Sequence, residues 1–222
     1  FADIPSQIKE ISSFSFSKCQ KMKLINFSKN SELYKIGNYA FAYSTLNKIT
    51  IPSSLKKISE NAFSRCKKLK IIEFEENSTL QTINKFAFFG SSIESIRIPS
   101  TVNKIDDCAF SDCHNLKYVQ FTEESKLNSI SKSTFSNSAL MKISIPSSVK
   151  LVDKLAFSGC LNLYSVEILA DVVSIKTSCF SRCKVLMLVS FPNANKISIA
   201  KFTFSGISSN FSLFTKPGSI LN

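Results

Sequence analysis

Tryptophan is absent from the 222 residues, histidine occurs once, and glycine and proline number only 5 and 6. Five scattered glycines form no glycine-rich loop of the kind that cradles phosphates, which excludes nucleotide-loop chemistry. The single histidine, His114, has no serine nucleophile motif to serve. Picking a Ser-His-Asp set from so many serines would be arbitrary. No apolar run approaches the roughly 18 residues that a membrane-spanning helix needs. Nor does a charged start lead into an apolar core, as a secretory signal would. The first residue is Phe1 rather than methionine, which suits a processed form or an excerpt.

What is present fits a folded chain. The hydrophobic fraction is 44% and the charged fraction 20%, neither of them typical of disorder. Phenylalanine is abundant, at 20 residues, and the formal charge is +12. Such a charge admits nucleic acid, anionic membrane or acidic glycan partners. The excess is lysine spread through the chain, so a solvated basic surface is the simpler reading and nucleic acid is disfavoured.

A ruler emerges at Phe16, Phe41, Phe63, Phe88, Phe110, Phe135, Phe157, Phe180 and Phe204, spaced by 22 to 25 residues. Phe16, Phe63, Phe110 and Phe157 are each 47 apart, as are Phe41, Phe88 and Phe135. Two kinds of coil therefore alternate. The first has Cys three residues after Phe, then apolar residues at plus six, nine and eleven, as in Cys66, Leu69, Ile72 and Phe74. The second has Ser at plus three and ends in Ile-Pro-Ser, as in Ile51-Pro52-Ser53 and Ile98-Pro99-Ser100.

The I-x-I or I-x-F pair alternates with period two, which predicts a strand with one buried face. Pro52, Pro99 and Pro146 lack a backbone N–H and should close their strands. The L-x-x-I step, as in Leu55 and Ile58, should turn the chain back across the interior. The run A-F-x-x-C-x-x-L has helical spacing, predicting a short helical or irregular turn with Asn61, Ser64, Arg65 and Lys67 outward. One coil cannot bury its apolar edge alone, whereas a stack can, its strands pairing into a parallel sheet. The predicted fold is an α/β solenoid.

The pattern L-x-x-I-x-x-x-A-F-x-x-C-x-x-L-x-x-I-x-[I/F]-P, repeated over residues 4 to 204, resembles the BspA-like, or Treponema pallidum, class of leucine-rich repeat. The resemblance implies a right-handed superhelix used for binding, often as a cell-surface adhesin, and carries no catalytic residues. The later coils drift from the pattern, with Cys179 and Thr203 in the alanine position. Residues 1–222 are expected to form a single domain of about nine coils, excerpted from a longer array. Ile4-Pro5-Ser6 opens it at a strand end, and neither end shows the cap that solenoids ordinarily need.

The cysteines read as core. Cys19, Cys66, Cys113 and Cys160 recur every 47 residues, two coils apart. At about 4.8 Å per strand they should stand about 10 Å apart, beyond the limit of about 7 Å for a disulfide. Cys160 and Cys183, one coil apart, are close enough, but parallel stacking points them the same way. For zinc, Cys108, Cys113 and His114, or Cys179 and Cys183, are the only near sets, and the repeat already assigns Cys113 inward. No metal or cofactor is expected. Acidic pairs at Asp106-Asp107 and Glu123-Glu124 read as solvated loops. Sequons stand at Asn26, Asn77 and Asn210, with Asn77 in an expected loop.

Function should lie in residues the repeat leaves free. One open-face column runs through Asn26, Thr50, Glu73, Arg97 and Gln120, and its neighbour through Leu24, Lys48, Ile71, Tyr118, Lys142 and Leu188. Leu24, Ile71, Tyr118 and Leu188 are apolar where the repeat does not require it, which suggests a contact surface. The sequence thus points to a non-enzymatic scaffold for a protein or matrix ligand, as a surface or secreted adhesin or antigen. The alternatives are a cytoplasmic structural or assembly module and a polyanion binder. Oligomeric state is not readable from it.

Overall fold

The computed structural model describes residues 1–221 as a stack of coils in which no described residue is helical. Among the described residues twenty short strands form two ladders along the stack, and every strand pair is parallel. The first ladder is broken into three sheets and the second into two, the break in the second lying between Lys104–Ile105 and Ser129–Ile130. In the first ladder, the strand Lys48–Ile51 buries Ile49 and Ile51, leaves Thr50 exposed and half-buries Lys48. Its neighbour Ile71–Phe74 sets Ile72 against Ile49 and Glu73 against Thr50. Period-two alternation therefore survives stacking, and each strand position becomes a column along the molecule. The strands ending at Ile51, Ile98 and Ile145 stop directly before a proline.

The L-x-x-I step does more than turn the chain. It makes the second ladder, in which pairs such as Lys57–Ile58 and Thr82–Ile83 line up and Ile36, Ile58, Ile83 and Ile105 are buried. Between the ladders lies the phenylalanine column. From Phe16 to Phe204, successive rings stack 5.1 to 5.7 Å apart with planes within 14°. The seven from Phe41 to Phe180 are fully buried, and burial stabilises each by roughly 1.5–3 kcal/mol.

The expected helical turn does not form. Around Phe63, alternate amides leave the coil: Asn61 N–H donates to the Lys85 carbonyl at 3.1 Å, Phe63 to Ala87 at 2.7 Å and Arg65 to Phe89 at 2.7 Å. The intervening amides of Ala62, Ser64 and Cys66 donate three residues back, to Ser59, Asn61 and Phe63. A helix would send every N–H four residues back and leave nothing for the next coil. Stacking satisfies these buried amides along the axis instead. The residues two before and two after each phenylalanine take left-handed φ, as Asn61 (57°) and Arg65 (56°) do. Gly90, Gly159 and Gly206 occupy the later of these two positions. The three-residue spacing thus belongs to overlapping turns. Asn61 and Ser64, expected outward, are buried, whereas Arg65 and Lys67 are exposed.

All seven cysteines are free, with Cys66, Cys113, Cys160, Cys179 and Cys183 buried and Cys19 and Cys108 half-buried. The three buried thiols of the 47-residue series, Cys66, Cys113 and Cys160, each have a hydrogen-bond partner. Cys66 Sγ donates to the Phe41 carbonyl at 3.0 Å, and Cys113 and Cys160 repeat this toward Phe88 and Phe135 at 3.1 Å. Ser44, Ser91 and Ser138 lie 3.3 to 3.5 Å from the same sulfurs. Burial pushes the thiols up, Cys66 and Cys160 to about 11 and Cys113 to about 12.

The 47-residue beat is visible in the hydrogen bonding. The first ladder is interrupted between Ile25–Phe27 and Lys48–Ile51, and again between Tyr118–Phe121 and Lys142–Ile145. Between Ile71–Phe74 and Ser95–Ile98 only Ile71 and Ser95 pair. All three weak joins follow strands that end in Phe and leave by six residues, as from Phe74 to Leu80, rather than four, as from Ile51 to Leu55. Where the outgoing loop is short, the next strand pairs along most or all of its length.

Candidate functional site

The outward positions of the first ladder form the candidate face. Leu24, Ile71, Tyr118 and Leu188 are 47, 48, 49 and 38% exposed, so they do not cover one another. The register explains why: Ser95 separates Ile71 from Tyr118, and Lys142 and Ser165 precede Leu188. Asn26, Thr50, Glu73, Arg97, Gln120 and Lys142 are also exposed.

On the N-terminal half, several of these residues engage each other. Lys48 Nζ lies 2.8 Å from Glu73 Oε1, and Thr50 Oγ1 donates to Glu73 Oε2 at 3.3 Å. The Lys48 contact holds the Glu73 carboxyl below the usual carboxylate range. Asn26 Nδ2 donates to Asp3 Oδ1 at 2.9 Å. Exposed contacts of this sort add little stability but leave few free polar groups.

The C-terminal half is different. An open groove of about 920 Å³ spans the interrupted join after Tyr118–Phe121. Tyr118, Gln120, Lys142, Ser144, Glu167 and Leu188 line its floor, bounded by Glu123 in one outgoing loop and Asn193 in another. Ser144 Oγ donates to Glu167 Oε2 at 3.0 Å. The structure therefore gathers Tyr118, Gln120, Lys142 and Leu188 and leaves Leu24, Asn26, Lys48, Thr50 and Ile71 outside. Glu73 and Arg97 line a second hollow of about 770 Å³ beside the acidic loop of Glu75 and Glu76.

Sequence reasoning missed the column one residue further out. Backbone bonds link Lys23, Asn47, Lys70, Glu94, Lys117, Met141, Tyr164 and Met187 in that order. Polar for five coils, it then turns apolar. Tyr118 Oη donates to Met141 Sδ at 3.6 Å, and Met187 is 50% exposed. Aligning the coils on their buried strand residue, one position earlier than the columns already drawn, would have found the change.

Other candidate chemistry is dispersed. His114 is exposed with Nδ1 3.0 Å from the Asn137 carbonyl oxygen, while Cys113 beside it is buried. Among the described residues no three His, Cys, Asp or Glu side chains come together to hold a metal ion. Nor is any helix among them long and apolar enough to cross a membrane. The sequon residues Asn26, Asn77 and Asn210 are all exposed.

Stacked coils, two parallel ladders and a phenylalanine spine are a recognisable assembly. The model of the BspA type leucine-rich repeat region, in 6 copies, matches residues 1–117 and 81–210. The chain belongs to this family of BspA-type leucine-rich repeats. Its fold is that of a leucine-rich repeat protein from Bacteroides ovatus, at TM-score 0.70 and 23% identity over 96% of this chain and 62% of that one. The pneumococcal vaccine antigen PcpA matches at TM-score 0.62 and 22% identity, over 97% of this chain and 68% of that one. A T. pallidum leucine-rich repeat protein matches at TM-score 0.61 and 26% identity, over 83% and 77% of the two chains. The chain thus spans less than two thirds of the Bacteroides ovatus protein. No curated protein matches the sequence at a significant level.

Proposed function

We propose that this BspA-type repeat is a protein-binding scaffold whose contact surface is the strand face of coils five to eight. The observation that carries the reading is the groove itself, where Tyr118 and Leu188 stand exposed on the two sheets that meet at the interrupted join, among Gln120, Lys142, Ser144 and Glu167. An aromatic and an aliphatic anchor ringed by polar groups is the composition of a protein interface. Each anchor stands on a strand paired within its own sheet, so the backbone beneath it is ordered before binding. A surface placement, as adhesin or antigen, is part of the proposal. It is supported by the family and by the fold shared with a pneumococcal vaccine antigen.

The test is affinity capture from the native source with the parent and with a Tyr118→Ser, Leu188→Ser double variant. Captured proteins that disappear with the double variant and persist with an Ile71→Ser control support the groove. An unchanged set, with melting also unchanged, removes it as the site. Surface labelling of intact cells tests the placement separately.

A further inference from the structure

The lysines that look scattered in the sequence are gathered by the fold. The flank through which the chain approaches each strand comprises residues 17–24, 42–48 and 64–71 in the first three coils. Those segments hold eight lysines and arginines and neither aspartate nor glutamate. Backbone bonds put Lys23, Asn47 and Lys70 in one column, and Lys48 stands directly beside it. Counting back from the aligned strand residues puts Lys21 and Lys68 in a second column, with Lys67 at its edge. Lys48 and Lys70 have partners in Glu73 and Glu94, whereas Lys21, Lys23, Lys67 and Lys68 are exposed with no ion-pair partner among the described residues. Glu94 ends the patch in the fourth coil, and two coils further on the same column is apolar.

We infer that this flank of coils one to three is a binding site for a sulfated polysaccharide. The argument is one of chemistry and shape. Lysine is a point charge on a flexible stem, suited to anions strung along a chain rather than to a single planar group. The fork that would grip one phosphate or carboxylate is occupied, because the Arg65 guanidinium lies 5.5 Å from the Phe89 ring centre and 6.0 Å from that of Tyr43. The guanidinium thereby takes one face of each ring, so neither is a fully open platform of the kind on which single-stranded nucleic acid stacks its bases. Among the described residues there is no helix to enter a major groove. A coil repeat of about 4.8 Å sets lysines of the first and third coils about 10 Å apart along the flank. A linear sulfated chain, with anions on successive sugars, can lie along it.

Binding of heparin oligosaccharides, measured at several salt concentrations, tests the assignment. The Lys21→Ser, Lys23→Ser, Lys67→Ser, Lys68→Ser variant should bind at least about tenfold more weakly, with the slope of log affinity against log salt smaller by about 3. A control losing the same charge elsewhere, at Lys56, Lys104, Lys126 and Lys150, should stay within about twofold of the parent. Equal losses in both variants would show that net charge alone is at work and overturn the site. A single-stranded oligonucleotide or phosphatidylserine vesicles binding more tightly, with the same lysine dependence, would overturn the sulfated glycan. Should the variant fold poorly, lysine acetylation of the parent decides. Oligosaccharide should protect Lys21, Lys23, Lys67 and Lys68 and leave Lys104 and Lys150 reactive, and uniform reactivity again overturns the proposal.

Discussion

The phenylalanine column from Phe16 to Phe204 and the column from Lys23 to Met187 each take one residue from every coil, yet only the first repeats. Inside, a ring has rings about 5 Å above and below it, so any other residue leaves two neighbours unpacked. Outside, backbone amides alone keep the register, and lysine, glutamate, methionine and tyrosine are all admitted. The repeat is therefore a statement about packing. Departures from it, such as Met141, Tyr164 and Met187, mark where the surface is free to specialise.

The largest effects should come from breaking the inner column. Phe110→Ala should cost about 3–5 kcal/mol, because Phe88 and Phe135 lose their shared partner. Phe16→Ala, at a half-buried end, should cost clearly less. Urea midpoints of the two variants measure the difference, and equal values would contradict a continuous spine.

The thiols probe the same interior through pH. In the unfolded chain a cysteine ionises near pH 9, while Cys66, Cys113 and Cys160 stay protonated until about 11 or 12. The native state therefore holds more protons above pH 9. Stability is complete below that pH and falls as it rises, by up to about 1.4 kcal/mol per pH unit for each thiol. Cys66→Ser and Cys113→Ser should flatten this alkaline limb, using a residue already found at Ser44 and Ser91. At neutral pH a thiol reagent should modify Cys19 and Cys108 well before the five buried cysteines, as peptide mapping would show.

Changes to the outer surface should be the mildest for stability. Tyr118→Ser with Leu188→Ser should move the unfolding free energy by about 0.5 kcal/mol or less per site while abolishing partner capture. Lys48→Met, which removes only an exposed ion pair to Glu73, should cost less than about 1 kcal/mol. A large loss in either case would show that the outer face also supports the fold.

Much of this division was legible in the sequence. The ruler of phenylalanines, the strand alternation and the prolines after Ile51, Ile98 and Ile145 are local patterns whose physics is fixed by burial. The turn around Phe63 was not legible, because a three-residue spacing fits both a helix and overlapping turns. The choice between them rests on carbonyls of Lys85, Ala87 and Phe89, which lie in the next coil. The groove was half legible. Its floor residues alternate visibly with the core, but its opening depends on a join between Tyr118–Phe121 and Lys142–Ile145 that only the stacked coils reveal. The basic flank was invisible for a similar reason, since residues 21, 48 and 68 become neighbours only when coils are superimposed.

The uneven joins carry a mechanical consequence. Along the first ladder bonding is nearly complete inside each 47-residue pair and sparse between pairs, whereas the second ladder and the turns around each phenylalanine stay bonded across the joins after Phe27 and Phe74. Pulled from its two ends, the stack should part first after Phe121, where both ladders are interrupted. Each yielding block of 47 residues would release about 160 Å of slack chain. Length would then be given up in measured instalments rather than all at once.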